Sequence, residues 1–138
     1  MKIALLNDTH FGARNDSPAF LEYFMRFYNE IFFPYCKENN ITTLIHLGDV
    51  VDRRKFINFR TLDRSKEMFF QPLYDRHINF HVLVGNQDAY FKNTIEINSV
   101  DLLTKEFVNI TAYSKPTEWN GILMLPWICD ENREECFK

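Results

Sequence analysis

Three short clusters in this chain have the residue types to hold a cation beside a phosphate: Asn7-Asp8-Thr9-His10, Gly48-Asp49 and Gly85-Asn86-Gln87-Asp88. Within them Asp8, His10, Asp49 and Asn86 offer carboxylate, imidazole and amide donors. That mixture suits a hard or borderline divalent cation such as Mn²⁺ better than a cysteine-rich zinc cage would. Asp8 and His10 are two residues apart, so at an extended strand end both side chains would point the same way. Gly48 and Gly85 each precede a candidate ligand, at points where a backbone can turn sharply or approach an anion. Singly, each of these residues is an ordinary turn former or cap. Three such clusters, each ending an apolar run, make a shared site the better reading. The other histidines read differently. His46 lies inside an apolar strand as a packed core residue, His77 belongs to a turn, and His81 sits on a strand face.

The elements that must position these clusters follow from periodicity. Lys2 to Asn7 is a short buried strand. Ser17-Pro18 starts a helix, with Ser as N-cap and Pro at the first helical position. Phe20, Phe24, Phe27/Tyr28, Ile31 and Tyr35 then recur at helical spacing to about Cys36. Pro34 should kink or end that helix near its last turn. A second β-rich run covers 41–47, followed by a loop at 48–58. A second helix spans 59–75, with Phe59, Leu62, Met68/Phe69 and Leu73 as core positions and Pro72 disturbing its end. His77 to Val84 is a third strand, with Ile78, Phe80 and Val82 inward or with both faces buried. A short helix near 97–106 precedes a fourth strand at 107–112. A fifth follows Asn120-Gly121, which has the composition of a type I′ hairpin turn. Asp130 to Lys138 is polar and carries no assignment. This alternation predicts an α/β fold with a mostly parallel sheet and a hairpin at one side. In such a sheet the first three strands end along one edge, outside which ligands bind. The three clusters therefore converge.

Composition narrows the classes of protein that fit. At 138 residues, 46% hydrophobic and 25% charged, the chain reads as one globular domain, not a disordered, collagen-like or low-complexity segment. Its aromatic content of 16% is enough for a sizeable core. The net charge of −3 leaves no whole-chain basic field, so nucleic-acid binding would need a local patch. No apolar run approaches the roughly 20 residues of a spanning helix. The opening Met1–Leu6 run breaks at Asn7-Asp8, too early for a signal peptide. The three cysteines, 36, 129 and 136, form no CxxC pair. They imply neither a disulfide framework nor a zinc cage, and a reducing cytosol is the default.

Asp8-Thr9-His10-Phe11-Gly12, Gly48-Asp49-Val50-Val51-Asp52 and Gly85-Asn86-Gln87-Asp88 resemble the D-x-H, G-D-x-x-D and G-N-H-D motifs of calcineurin-like metallophosphoesterases. The resemblance is nearest to the DNA-repair nuclease branch, which includes the nuclease subunits of SbcCD-type complexes and of phage recombination endonucleases. Phe11-Gly12 and Pro126-Trp127 fit that branch, and the likeness covers essentially the whole chain. It implies a four-layer αββα sandwich, of which residues 1–138 would be the N-terminal part with no second domain. It also implies two divalent metal ions, commonly Mn²⁺, with Asp8 and His10 on the first, Asp49 bridging and Asn86 on the second. Such a pair supplies an activated water and neutralises phosphoryl charge. Asp52 and Asp88 would orient the ligands. The implied reaction is phosphodiester hydrolysis of DNA in recombination or repair. The implied partners are DNA, an SMC-like coiled-coil ATPase and a second copy of the chain. The setting would be cytoplasmic, the host's cytoplasm if phage-encoded.

Two departures from the pattern bear on activity. The position of the motif's general-acid histidine is Gln87, which hydrogen-bonds but cannot deliver a proton near neutral pH. No histidine follows His81, so the downstream G-H-x-H ligands of the family are missing from these residues. The chain is therefore expected to be an impaired nuclease, and the rival expectation is a non-catalytic DNA-binding or scaffold subunit. A phosphatase acting on a small substrate is a third. Arg53-Arg54-Lys55 follows the second motif and could contact DNA phosphates, as could, with less support, Arg14 and Lys92 in site-edge loops. Tyr90-Phe91 could stack on a nucleic-acid end, although packing is the commoner use of such a pair.

Overall fold

A computed structural model describes residues 2–11, 13, 17–50, 59–85 and 106–137, together with the backbone of 89–91 and 94–98. Four strands, β1 (Ile3–Leu6), β2 (Thr43–His46), β3 (Asn79–Leu83) and β6 (Ile110–Tyr113), form one sheet in the order β1-β2-β3-β6. Every pairing in it is parallel. The register aligns Ala4, Leu44, Phe80 and Ile110 in one row. Alternation then sends Ala4, Leu6, Leu44, His46, Phe80, Val82, Ile110 and Ala112 to one face, and Ile3, Ile45, His81, Leu83 and Tyr113 to the other. The α/β architecture with a parallel sheet agrees with the sequence expectation.

Helices cover the first face. Helix α1 runs from Pro18 to Glu38 and α2 from Phe59 to Asp75. Ser17 caps α1, its hydroxyl accepting from the Phe20 N–H at 3.3 Å, and Pro18 occupies the first turn. Neither helix ends at its proline. A π-helical turn precedes each one, Tyr28–Phe32 before Pro34 and Lys66–Phe70 before Pro72. The Phe33 N–H reaches back to the Tyr28 carbonyl and the Gln71 N–H to the Lys66 carbonyl, both i−5. The widened turn makes room for a ring that would otherwise meet the carbonyl four residues earlier. The expected break near Pro34 is thus replaced by a bulge, and the helix continues through the last turn.

The core under these helices is aromatic. Phe33, Phe69, Phe70 and Phe80 are fully buried, with Met25, Tyr28, Phe32, Leu44, Leu73 and Val82 around them. The face marked out by helical spacing on α1 is mostly not the buried one. Of Phe20, Phe24, Phe27/Tyr28, Ile31 and Tyr35, only Tyr28 is buried, while Tyr23, Phe24, Phe27, Ile31 and Tyr35 form an exposed stripe. The buried set is instead Met25, Tyr28, Phe32, Phe33 and Cys36. On α2, Phe69 and Leu73 are core as expected, but Phe59 is 89% exposed. Arg64 of α2 holds Glu22 of α1 through two hydrogen bonds and ties the helices together.

The second face is covered in part by a hairpin, β7 (Thr117–Trp119) with β8 (Ile122–Met124). Asn120 and Gly121 both have positive φ, 52° and 80°, as the expected I′ turn requires. Met124 of the hairpin packs with Ile45 and Tyr113 of the sheet, and His81 Nδ1 meets the Tyr113 hydroxyl at 2.7 Å. Leu5 on the β1 side of this face is 65% exposed. A second correction concerns 97–106. Residues Thr94–Asn98 are a strand, β5, antiparallel to β4 (Ala89–Phe91). The expected helix therefore fails at 97–98, and 99–105 lie outside the described residues. The polar end forms a short helix, α3, at Arg133–Cys136.

Candidate metal centre

Asp8, His10 and Asp49 come together at the carboxyl edge of the parallel sheet, just past β1 and β2. One ligand atom from each lies within 4.8 Å of the other two. His10 Nε2 is 3.5 Å from Asp8 Oδ1, and Asn7 Nδ2 donates to Asp8 Oδ2 at 2.8 Å. All three residues are at least partly open to solvent. Of the three sequence clusters expected to converge, the first two meet here, and the third lies outside the described residues beyond Gly85.

The route to convergence differs from the expected one. Asp8, His10 and Asp49 all have left-handed backbones, with φ of 52°, 43° and 56°. Extended-strand alternation is therefore not what aims Asp8 and His10 together. Asp and His enter this region more readily than most side chains, yet each such residue costs on the order of 1 kcal/mol and persists only where its surroundings hold it. The surroundings here are a ladder between the two loops. The Asp8 N–H donates to the Gly48 carbonyl at 3.2 Å, His10 N–H to Asp49 O at 3.0 Å, and Phe11 N–H to Val50 O at 2.8 Å. Each loop is then pinned by the next apolar residue. Phe11 packs against Tyr28, Phe69 and Phe70, and Val50 is buried in the same core.

The glycines allow a close approach of backbone to backbone. Gly48 has φ +113°, and a Cβ there would lie 2.9 Å from Gly85 Cα. A Cβ on Gly85 would lie 2.4 Å from the Asp49 nitrogen and 2.6 Å from its Oδ1. The two glycines let the ends of β2 and β3 touch, which seats Asp49 beside the start of the third cluster.

His46 is fully buried, as the strand reading implied, but it is not merely packed. Its Nδ1 accepts from the Gly48 N–H at 3.1 Å and its Nε2 meets Thr9 Oγ1 at 3.1 Å. Thr9 Oγ1 in turn donates to the Val50 carbonyl at 3.0 Å. Burial, with His10 as a lesser contributor, depresses the His46 pKa to about 3, so the ring is neutral at any ordinary pH. Thr9 and the wiring role of His46 went unrecognised in sequence, where the signal was a polar residue in an otherwise apolar strand three positions before Asp49. His81 lies on the opposite sheet face and His77 in a left-handed turn, each away from the centre.

The rest of the predicted site falls on residues the structure does not describe. Asn86, Gln87, Asp88, Asp52, Arg14, Arg53, Arg54, Lys55 and Lys92 all lie outside the described residues, as do the side chains of Tyr90 and Phe91. The Pro126-Trp127 segment is described. The Trp127 N–H donates to the Val84 carbonyl at 2.8 Å, and Asn132 fastens the segment through the Trp127 carbonyl and the Cys129 N–H.

Two carboxylates and an imidazole in this geometry fit a divalent metal cation. The comparison with known proteins agrees with that chemistry: a match to the calcineurin-like phosphoesterases spans residues 1–133. The chain belongs to that family. It is also 35% identical over 139 aligned residues to exonuclease subunit 1 of Enterobacteria phage T4. That alignment covers 98% of this chain and 40% of the phage protein. The matched residues include all three members of the described centre, Asp8, His10 and Asp49. Among the described residues no helix is long and apolar enough to cross a membrane.

Proposed function

We propose that this chain is the N-terminal portion of a metal-dependent DNA nuclease subunit in a recombination or repair complex. The observation that carries the reading is the Asp8–His10–Asp49 cluster at the carboxyl edge of a parallel sheet, in a chain of phosphoesterase family. In this reading Asp8 and His10 hold one divalent ion, Asp49 bridges to a second, and Asn86 holds the second. Mn²⁺ suits the donor set best. Bound ions of this kind supply an activated water and neutralise the phosphoryl oxygens. The protein's own contribution is to fix the donors, and Asp52 and Asp88 help to orient them. Arg14, Arg53, Arg54 and Lys55 contact DNA phosphates, and the named phage relative, a nuclease subunit, supports nucleic acid as the substrate.

The partners in this reading are DNA, a coiled-coil ATPase and a second copy of the chain. The exposed stripe Tyr23, Phe27, Ile31 and Tyr35 supports self-association. The setting is cytoplasmic, that of the host if phage-encoded. A second reading, a non-catalytic DNA-binding or scaffold subunit, draws on Gln87, which replaces the family's proton donor.

Calorimetric titration with Mn²⁺ tests the centre. The chain should bind Mn²⁺ and Asp49→Ala should lose at least about 10-fold in affinity. Equal heats from the two would refute Asp49 as a ligand. Mn²⁺-dependent cleavage of a labelled duplex then separates the two readings. The chain as it stands should cleave poorly, and Gln87→His should raise the rate only where the metal sites are complete.

A further inference from the structure

The two loops that carry Asp8, His10 and Asp49 share one buried side chain. His46 touches the residue between Asp8 and His10 through Thr9, and the residue before Asp49 through Gly48. The hydrogen-bond roles around its ring admit a single arrangement. The Gly48 N–H can only donate, so Nδ1 must present a lone pair. The Thr9 hydroxyl has one hydrogen, and it goes to the Val50 carbonyl. At the Nε2–Thr9 contact the ring must therefore be the donor. The proton sits on Nε2, and a ring protonated on Nδ1 would set two donors against each other at Gly48.

The ring itself has little freedom. It is wholly buried and stands edge-on to Phe80, with ring centroids 5.8 Å apart. It is thus a rigid spacer, an acceptor on one side and a donor on the other, between two loops whose ligand residues all have left-handed backbones. Val50, which receives the Thr9 hydrogen bond, also anchors Asp49 to the core from its other side.

We infer that His46 is a positioning residue for the metal centre, setting the separation of the Asp8–His10 loop from the Asp49 loop before any ion arrives. The inference rests on the metal-centre reading above. It assigns Thr9 the role of relay, through its hydroxyl alone.

The test uses the 138-residue chain and Mn²⁺ as probe. Two-bond ¹⁵N–¹H NMR couplings on the metal-free chain should show His46 neutral with the proton on Nε2. Calorimetry should show Mn²⁺ affinity falling about 10–100-fold in His46→Leu and in Thr9→Val, the range seen when groups that orient metal ligands are removed. Thr9→Ser, which keeps the hydroxyl, should bind as the parent does. The double variant should bind no worse than His46→Leu alone, because both changes cut the same strut. Leu73→Ala, a core change remote from the loops, should lower the melting temperature without that loss of affinity. Thr9→Val is nearly isosteric at a half-buried position, so the test survives if His46→Leu fails to fold. A proton on Nδ1, or parental affinity in Thr9→Val, would overturn the inference. If Asp49→Ala loses Mn²⁺ while the Thr9 and His46 variants keep it, the positioning role alone is refuted. If Asp49→Ala binds as the parent does, the metal centre falls and the inference with it.

Discussion

The helix-covered face of the sheet and its carboxyl edge are held by different kinds of interaction. The face is a layer of large apolar rings, Phe11, Tyr28, Phe33, Phe69, Phe70 and Phe80, meeting edge-on or tilted. Many side-chain combinations of similar volume fill such a layer. The edge has almost no such freedom. It depends on three left-handed residues, two touching glycines, and a buried histidine with a defined tautomer. The difference implies that stability and metal affinity are separable: the layer should carry the first and the edge the second.

The largest effect should come from the layer. Phe69 is fully buried and contacts Phe11, Tyr28, Phe33, Phe70 and Phe80. Phe69→Ala should destabilise the chain by about 3–5 kcal/mol, measured by urea unfolding at neutral pH. In whatever fraction remains folded at low temperature, Mn²⁺ affinity should change far less than it does for any edge variant. A parallel loss of affinity would mean that layer and edge are one cooperative unit.

The reverse experiment is Gly85→Ala. Its new methyl would lie 2.4 Å from the Asp49 backbone nitrogen, which no rotamer change can relieve. The Asp49 loop must move by about 1 Å to restore ordinary contact, a displacement that typically costs on the order of 100-fold in a preorganised site. Mn²⁺ titration should show that loss, with a smaller change in unfolding free energy than Phe69→Ala produces. Unaltered metal affinity would show that Asp49 is not held where its function requires.

This division also explains what could be read from sequence. The four strands of the parallel sheet, both long helices and the Asn120-Gly121 turn were legible because each leaves a local trace: apolar runs, a Ser-Pro helix start, a turn dipeptide. Asp8, His10 and Asp49 were legible because each follows a strand, and parallel strands share a carboxyl edge. The buried face of α1 was not. Its apolar residues cover most of the helix circumference, and the π turn at Tyr28–Phe32 shifts the phase of all that follows. Helical spacing marked Phe24, Ile31 and Tyr35, which face solvent, and not Met25, Phe32 and Phe33, which are buried. The β4–β5 pairing was missed because antiparallel partners at 89–91 and 94–98 leave too short a stretch for alternation to register. The left-handed backbones at the centre were missed for another reason. They depend on the ladder to Gly48, Asp49 and Val50, a contact some 40 residues away in sequence, as well as on local preference.

The smallest of the three effects probes the link between edge and layer, because His46 belongs to both. In the folded chain, burial first and His10 second lower its pKa to about 3, against an ordinary value near 6.5. Above pH 6.5 the ring is neutral in both folded and unfolded chains, and its contribution to stability is complete. As pH falls below 6.5, the unfolded chain takes up a proton that the folded chain refuses until about pH 3. Stability should therefore fall with pH through that window, by at most about 1.4 kcal/mol per unit for this one group. His81, also lowered by burial, acts in the same direction and must be separated from it. Urea unfolding of the metal-free chain at pH 7.5, 6.5 and 5.5, set beside His46→Gln, isolates the His46 share, because His81 is common to both. The parent should lose more stability than the variant between pH 6.5 and 5.5, a range above most carboxylate titration. Equal losses would mean that the ring accepts a proton in the folded state. Nδ1 would then lose its bond from the Gly48 N–H, and the two loops would come apart at the strut where acid had reached it.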